Sequence, residues 1–381
     1  MRKKQGRRLI FLEKCCLRRK KVVFSLRDKQ LAEEIVSKIK KTGLKLKFMH
    51  VCGTHQDTLV KNGLDSLLRR CGVEIGQGPG CPVCVTTPLE IEEMLLLARK
   101  GKIVTSFGDM INVPGETESL RSMKEEGCDV RTVYGIEDAV GIARENPDED
   151  VVFMAAGFET TAPTTAAVIL NEPPENFSIL CCHRTIPPAL QAIIEMGEIK
   201  IDGFIEPGHV STIIGIKPYE FLSKMYHVPQ VIAGFEPVDL LMATWMLVEQ
   251  VKKGTAFVQN EYKRVVRENG NVKAQETMKR VFEPCDIKWR GFPVIPESGL
   301  MLRKKFEEYD ARKKYEDDFE ELKSKEFIEP KGCRCGELLR GLISPFDCPL
   351  FRKKCTPETP VGPCMVSIEG SCNIEYRYSK K

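Results

Sequence analysis

Cys52 and His55 stand three positions apart in His50-Val51-Cys52-Gly53-Thr54-His55, at the end of an apolar run. Thiolate and imidazole at one strand tip are suitable ligands for iron, copper or zinc. A second stretch, Gly78-Pro79-Gly80-Cys81-Pro82-Val83-Cys84, is a C-x-x-C just ahead of a helical pattern that begins at Pro88. A helix N-terminus acidifies the first thiol and favours thiolate for metal binding or disulfide exchange. The Gly and Pro framing is expected to hold both sulfurs at the surface in a rigid turn. A weaker group, Glu206-Pro207-Gly208-His209-Val210-Ser211, offers the His209 imidazole and a hydroxyl for proton transfer. Cys181-Cys182-His183 also ends an apolar run, but adjacent strand residues point to opposite faces, so it reads as mainly structural. Buried cysteine is common and a lone histidine is more often structural. Soft groups repeated along one predicted edge weigh toward function.

The C-terminal stretch from Gly332 to Cys372 is rich in Cys, Pro and Gly and has little periodicity. It holds Cys333, Cys335, Cys348, Cys355, Cys364 and Cys372. Structural zinc sites usually show two close cysteine pairs, and only Cys333 and Cys335 are close. The wide spacing suits an iron–sulfur cluster held by four thiolates from separate turns, with six candidates for four places. About forty such residues bury too little apolar surface to order themselves, so a metal centre is the expected staple.

The elements that must position these groups alternate. Strand candidates are Leu46–Val51, Val73–Ile75, Ile103–Phe107, Val130–Tyr134, Val151–Ala156, Ile179–Cys182, Gly203–Ile205 and Val231–Ala233. Helical patterns cover Arg27–Lys41, Pro88–Lys100, Glu116–Glu126, Ile136–Glu145, Pro187–Met196, Lys217–Met225 and Val238–Lys252. This alternation is the signature of parallel α/β units, whose ligands bind beyond the carboxyl ends of the strands. Gly157-Phe158-Glu159-Thr160-Thr161 and Gly234-Phe235-Glu236-Pro237 both read as strand, Gly-Phe-Glu, helix, with a glutamate at each helix start. Arg303–Glu326, with eight Lys/Arg and nine Asp/Glu, reads as a mixed-charge helix presenting a solvated face.

The chain has 381 residues, 42% hydrophobic and 29% charged, which excludes disorder and collagen-like structure. No apolar run reaches the ~18 residues that span a bilayer. No secretory signal is recognisable, so the 16 cysteines are expected in a reducing cytoplasm, as metal ligands or redox groups rather than a disulfide framework. The net charge of +4 is carried by residues 1–21, whose ten Lys/Arg and one acid give +9 and leave −5 on the other 360. A nucleic-acid footprint is therefore absent from the body. No G-x-G-x-x-G, P-loop or Ser/His/Asp pattern supports nucleotide or hydrolase chemistry.

These motifs, in this order, resemble the hydrogenase formation family HypD over roughly residues 24–378. Cys333, Cys348, Cys355 and Cys372 fit the family spacing C-x14-C-x6-C-x16-C. The resemblance implies two doubly wound parallel-sheet α/β domains facing a cleft, plus a C-terminal [4Fe-4S] region. Expected boundaries are a basic leader at 1–23, domains at 24–135 and 136–252, and a helical, Cys-rich part at 253–381. The implied role is scaffold for the Fe(CN)2CO group of [NiFe]-hydrogenase. Cys52 would ligate Fe(2+) together with a HypC-type chaperone, and a HypE-type protein would donate cyanide. Cys81 and Cys84 become a redox pair or further iron contacts. His55, Glu159 and His209 complete the expected site, with no nucleic acid or membrane partner. Where the family commonly carries Thr after the histidine, this chain has Gln56. The rival readings are an iron–sulfur-dependent thiol–disulfide oxidoreductase and a zinc-stabilised binding protein.

Overall fold

The computed structural model describes residues 28–379, so the expected leader lies outside the described residues. Asp28 caps the first described helix, Lys29–Thr42, by accepting the Leu31 N–H, and Gly43 ends it at φ 66°. Nine strands then build two wholly parallel sheets. The first takes the order β2-β1-β7-β8-β9, with β1 Leu46–His50, β2 Val73–Gln77, β7 Gly203–Pro207, β8 Gln230–Ala233 and β9 Val258–Asn260. The second takes the order β4-β3-β5-β6, with β3 Ile103–Ser106, β4 Val130–Thr132, β5 Val151–Gly157 and β6 Phe177–His183.

Both sheets are covered on both faces, which explains why their strands read as continuous apolar runs. In the first sheet Phe48, Ile205 and Val231 enter one core, and Met49, Phe204 and Ile232 enter another. In the second, Val151, Phe153, Ala155 and Cys181 face one side, and Val152, Met154, Ala156 and Cys182 the other. The two adjacent cysteines thus part to opposite faces as the strand pleat requires.

The sheets do not divide at residue 135. The first collects strands from residues 46–77 and 203–260 around the second, which is contiguous from 103 to 183. Sequence order hides this because parallel pairing joins strands across any length of chain. An antiparallel hairpin, β10 Phe282–Lys288 and β11 Val294–Leu302, lies beyond the strands expected from the sequence. The Arg303–Glu326 segment is also not one solvated helix. It breaks into Lys304–Tyr309, Ala311–Lys314 and Glu316–Lys323, and Tyr315, Phe319 and Leu322 dock into the core beside the second sheet. Among the described residues no helix is long and apolar enough to cross a membrane.

Buried charge ties these parts together. Arg184, 1% exposed, sits 2.7 Å from Glu90, and Arg312 lies 2.7 Å from Glu93. Glu90 also serves the Thr87 capping box of helix Pro88–Arg99. Replacing Arg184 with Met leaves the Glu90 charge dry and partly unpaired. A loss of roughly 3–5 kcal/mol is expected, read from the urea midpoint at unchanged slope.

Candidate functional site

Cys52 is placed by strand and turn together. It follows β1 in extended conformation and is the N-cap residue of helix Gly53–Lys61. The Gly78–Gly80 loop lies directly on this tip: Gly78 N–H donates to the His50 carbonyl at 2.7 Å, and Gly53 N–H to the Gly80 carbonyl at 3.2 Å. A Cβ on Gly80 would fall 2.1 Å from the Cys52 nitrogen, so only glycine permits the approach. The Cys81 sulfur then caps the short helix Pro82–Val85, accepting the Cys84 N–H at 3.2 Å, and Cys81 and Cys84 are joined as a disulfide.

Contrary to the expectation of a surface turn, Cys81 and Cys84 are both 0% exposed. They belong to a core that also contains Phe158, Trp289, Leu338 and five of the tail cysteines. The hairpin and tail cover them, with the Pro363 carbonyl 4.0 Å from the Cys84 sulfur. The groups assigned to a cleft therefore lie in an interior.

Burial sets the charge state of each group. Desolvation pushes the Cys52 thiol up to about 11, the Glu369 charge adds to this, and the His55 and Thr54 amides oppose it. His55 is fully buried, and burial, followed by the neighbouring His50, lowers it to about 3 against the backbone at Ala233 and Gly234, which raises it. Its ring centroid lies 5.2 Å from that of Phe235, which stacks on His209 at 3.9 Å. Glu159 accepts the Ile186 N–H at 2.9 Å, and burial still raises it to about 7. The two Gly-Phe-Glu passages thus share their aromatic role more than their acid. Phe158 stacks on Trp289 as Phe235 stacks on His209, whereas Glu236 is the N-cap of helix Pro237–Lys253. Gln56 has a definite job: it bonds His50 at 2.8 Å and Glu375 of the tail at 3.3 Å.

One residue quoted in a motif but given no role is Glu206. It is 0% exposed, neither carboxyl oxygen has a hydrogen-bond partner, and burial holds it well above the usual carboxylate range. Its strand neighbour Phe204, on the same face, pairs with Met49. Tyr219 sits close enough to feel Glu206, Glu159 and Cys52 and bonds Ser211 at 3.1 Å. The signal available in the sequence was an acid closing an apolar strand just before Gly208-His209.

Five of the six tail thiols are buried in one core with Cys333 packed against it, so the tail is not an independent unit. The tail packs into the same core: a Cβ on Gly53 would lie 2.5 Å from Glu369 Cβ, and one on Gly291 2.2 Å from Gly336 Cα. The Cys333 and Cys335 sulfurs are 3.3 Å apart, and a Cβ on Gly362 would press on both at 2.6 and 2.8 Å. Hydrogen bonding to Cys333, then to Cys364, holds the Cys335 thiol well above its ordinary range, and Cys372 also reaches it. Cys355 accepts the Val361 N–H at 3.4 Å. Among the described residues no three His, Cys, Asp or Glu side chains are arranged to hold a single metal ion. Six soft donors in an apolar pocket, with backbone N–H groups aimed at sulfur, do fit a multi-iron cluster.

The raised Glu159 gives a signed pH effect. Its folded value of about 7 exceeds the ordinary glutamate value of 4.5, so the native state binds more protons and this group lowers stability as pH rises from 4.5 to 7. Glu159→Gln should remove that slope, leaving the variant more stable relative to wild type at pH 8 than at pH 4.5, by on the order of 3 kcal/mol. Parallel urea titrations of both proteins check it.

The HypD model, described as "Hydrogenase formation hypA family", matches residues 27–379. A putative hydrogenase expression/formation protein of Methanocaldococcus jannaschii is 47% identical over 365 residues, covering 94% of this chain and 100% of its own. The hydrogenase maturation factor HypD of Cupriavidus necator is 41% identical over 94% of this chain and 97% of its own. HypD of Escherichia coli is 41% identical over 88% of this chain and 90% of its own. The chain belongs to the HypD family of hydrogenase formation proteins.

Proposed function

We propose that this hydrogenase maturation factor holds Fe(2+) at Cys52 while the Fe(CN)2CO group is assembled, in a cytoplasmic complex with a HypC-type chaperone and a HypE-type cyanide donor. The observation that carries the reading is the meeting of three thiol groups: the Gly80–Cys81 turn lies on the Cys52 backbone, and the tail closes over both. Cys333, Cys348, Cys355 and Cys372 would hold a [4Fe-4S] cluster, which supplies electrons one at a time when bound.

The chain's own residues do the rest. Cys52, protonated when free because its site is dry, gives its proton up as a thiolate–iron bond forms. Cys81 and Cys84 store an electron pair: reduction breaks the S–S bond and takes up two electrons and two protons. His55, Phe235 and His209 form an aromatic wall behind Cys52, with His55 kept neutral by burial. The packing of Cys84 against the Pro363–Val366 turn favours a second reading, the cluster-dependent thiol–disulfide oxidoreductase.

Infrared and Mössbauer spectra of anaerobically purified protein with its small chaperone separate the two. Cys52→Ala should abolish cyanide and carbonyl bands and keep the cluster signal, and Cys348→Ala should lose the cluster signal. Persistence of the bands in Cys52→Ala would sink the scaffold reading. Reduction of a soluble disulfide substrate that is lost in Cys84→Ser and indifferent to Cys52 would establish the oxidoreductase.

A further inference from the structure

Arg290 joins the disulfide turn to the thiol-rich tail. It is 2% exposed. Its backbone N–H donates to the Val85 carbonyl at 2.9 Å, and its Nε to the Thr86 carbonyl at 2.7 Å, so it grips the end of the short helix that carries Cys84. Its Nη1 meets Glu329 at 2.6 Å, just ahead of Cys333 in the chain. The next residue, Gly291, packs backbone to backbone on Gly336, which follows Cys335. Trp289, the residue before it, is fully buried against Phe158. Nη2 has no hydrogen-bond partner.

We propose that Arg290 is a positioning residue that couples the two thiol centres. It clamps the Cys81–Cys84 turn against the tail, and its fixed positive charge favours the electron-rich state of both. A guanidinium keeps its charge when buried, unlike Lys or His, and its field is poorly screened in a dry core. Glu329 neutralises it only in part, because that carboxylate is 30% exposed and screened by water, whereas Arg290 is dry. Positive charge beside a thiolate or an iron–sulfur cluster raises its reduction potential. The half of the proposal that concerns the cluster rests on the cofactor reading above; the half that concerns Cys81–Cys84 does not.

The test uses the full chain. In anaerobic dithiothreitol buffers, each dithiothreitol gives up two electrons and two protons and closes to its ring disulfide as Cys81–Cys84 opens to two thiols. Alkylation and peptide mass analysis then give the equilibrium constant. Arg290→Gln should lower it about tenfold, which is about 30 mV for a two-electron couple, while Arg290→Lys stays within about threefold of wild type. Glu329→Gln, which removes the opposing charge and spares Arg290, should raise the constant, and it keeps the question decidable should Arg290→Gln fail to fold. The cluster midpoint, followed by electron paramagnetic resonance, should move in the same directions. The proposal is overturned if Arg290→Gln and Glu329→Gln both match wild type, or if Arg290→Lys shifts as far as Arg290→Gln. A wild-type protein that binds no cluster sinks the cofactor reading alone and leaves the dithiothreitol equilibrium to judge Arg290.

Discussion

No side chain fits between Cys52 and the turn that carries Cys81. Gly80 lies so close to the Val51–Cys52 backbone that a Cβ would meet it at 2.1 Å, and a Cβ on Gly53 would meet Glu369 at 2.5 Å. Gly362 presses on the Cys333 and Cys335 sulfurs in the same way. Three segments far apart in sequence thus meet closely, each at a glycine. Close approach without side chains brings thiols from residues 52, 81–84 and 333–372 toward one core, and it excludes water from between them.

The same exclusion dictates the electrostatics. Cys52, Glu159 and Glu206 are all shifted toward their neutral acids by desolvation, and His50, His55 and His183 toward neutral imidazole. Among the described residues, buried charge is paired with guanidinium groups in several places: Arg184 with Glu90, Arg312 with Glu93, Arg264 with Asp239, Arg290 with Glu329. Arginine suits this because it does not lose its proton on burial. The site is therefore a neutral, thiol-lined interior bordered by fixed cations, an environment in which soft ligands keep a low-valent metal and hard, hydrated ions are disfavoured.

Much of this was legible in the sequence, for identifiable reasons. Eight parallel strands announced themselves as apolar runs ending in Gly, Pro, Cys or His, because strands buried on both faces leave no polar alternation to blur them. The thiol motifs stood out because cysteine paired with Gly and Pro is rare. What stayed hidden depends on tertiary partners. The Arg303–Glu326 segment looks solvated because its charges are abundant, yet Arg312 spends its charge on Glu93, and Phe319 and Leu322 face the core. The C-x-x-C turn looks like a surface feature because its cover, Trp289 and the Pro363–Val366 turn, comes some two hundred residues or more later. Glu206 went unassigned because an acid's function depends on the absence of partners, and only the folded neighbours Tyr219, Phe204 and Ile232 reveal that absence.

The interleaving of the sheets follows from the same demand. Were each sheet contiguous, the Cys52 tip and the His209 helix would belong to different halves, joined by whatever linker ran between them. Instead β1 and β7 pair side by side, so the Cys52 tip and the helix bearing His209 leave neighbouring strands of one rigid sheet. The second sheet, inserted between them in sequence, returns Phe158 and Glu159 to the same core. A loop-borne thiol would wander by more than the width of a bond. Parallel strands locked by a ladder hold the segments bearing Cys52, His55 and His209 in fixed relation.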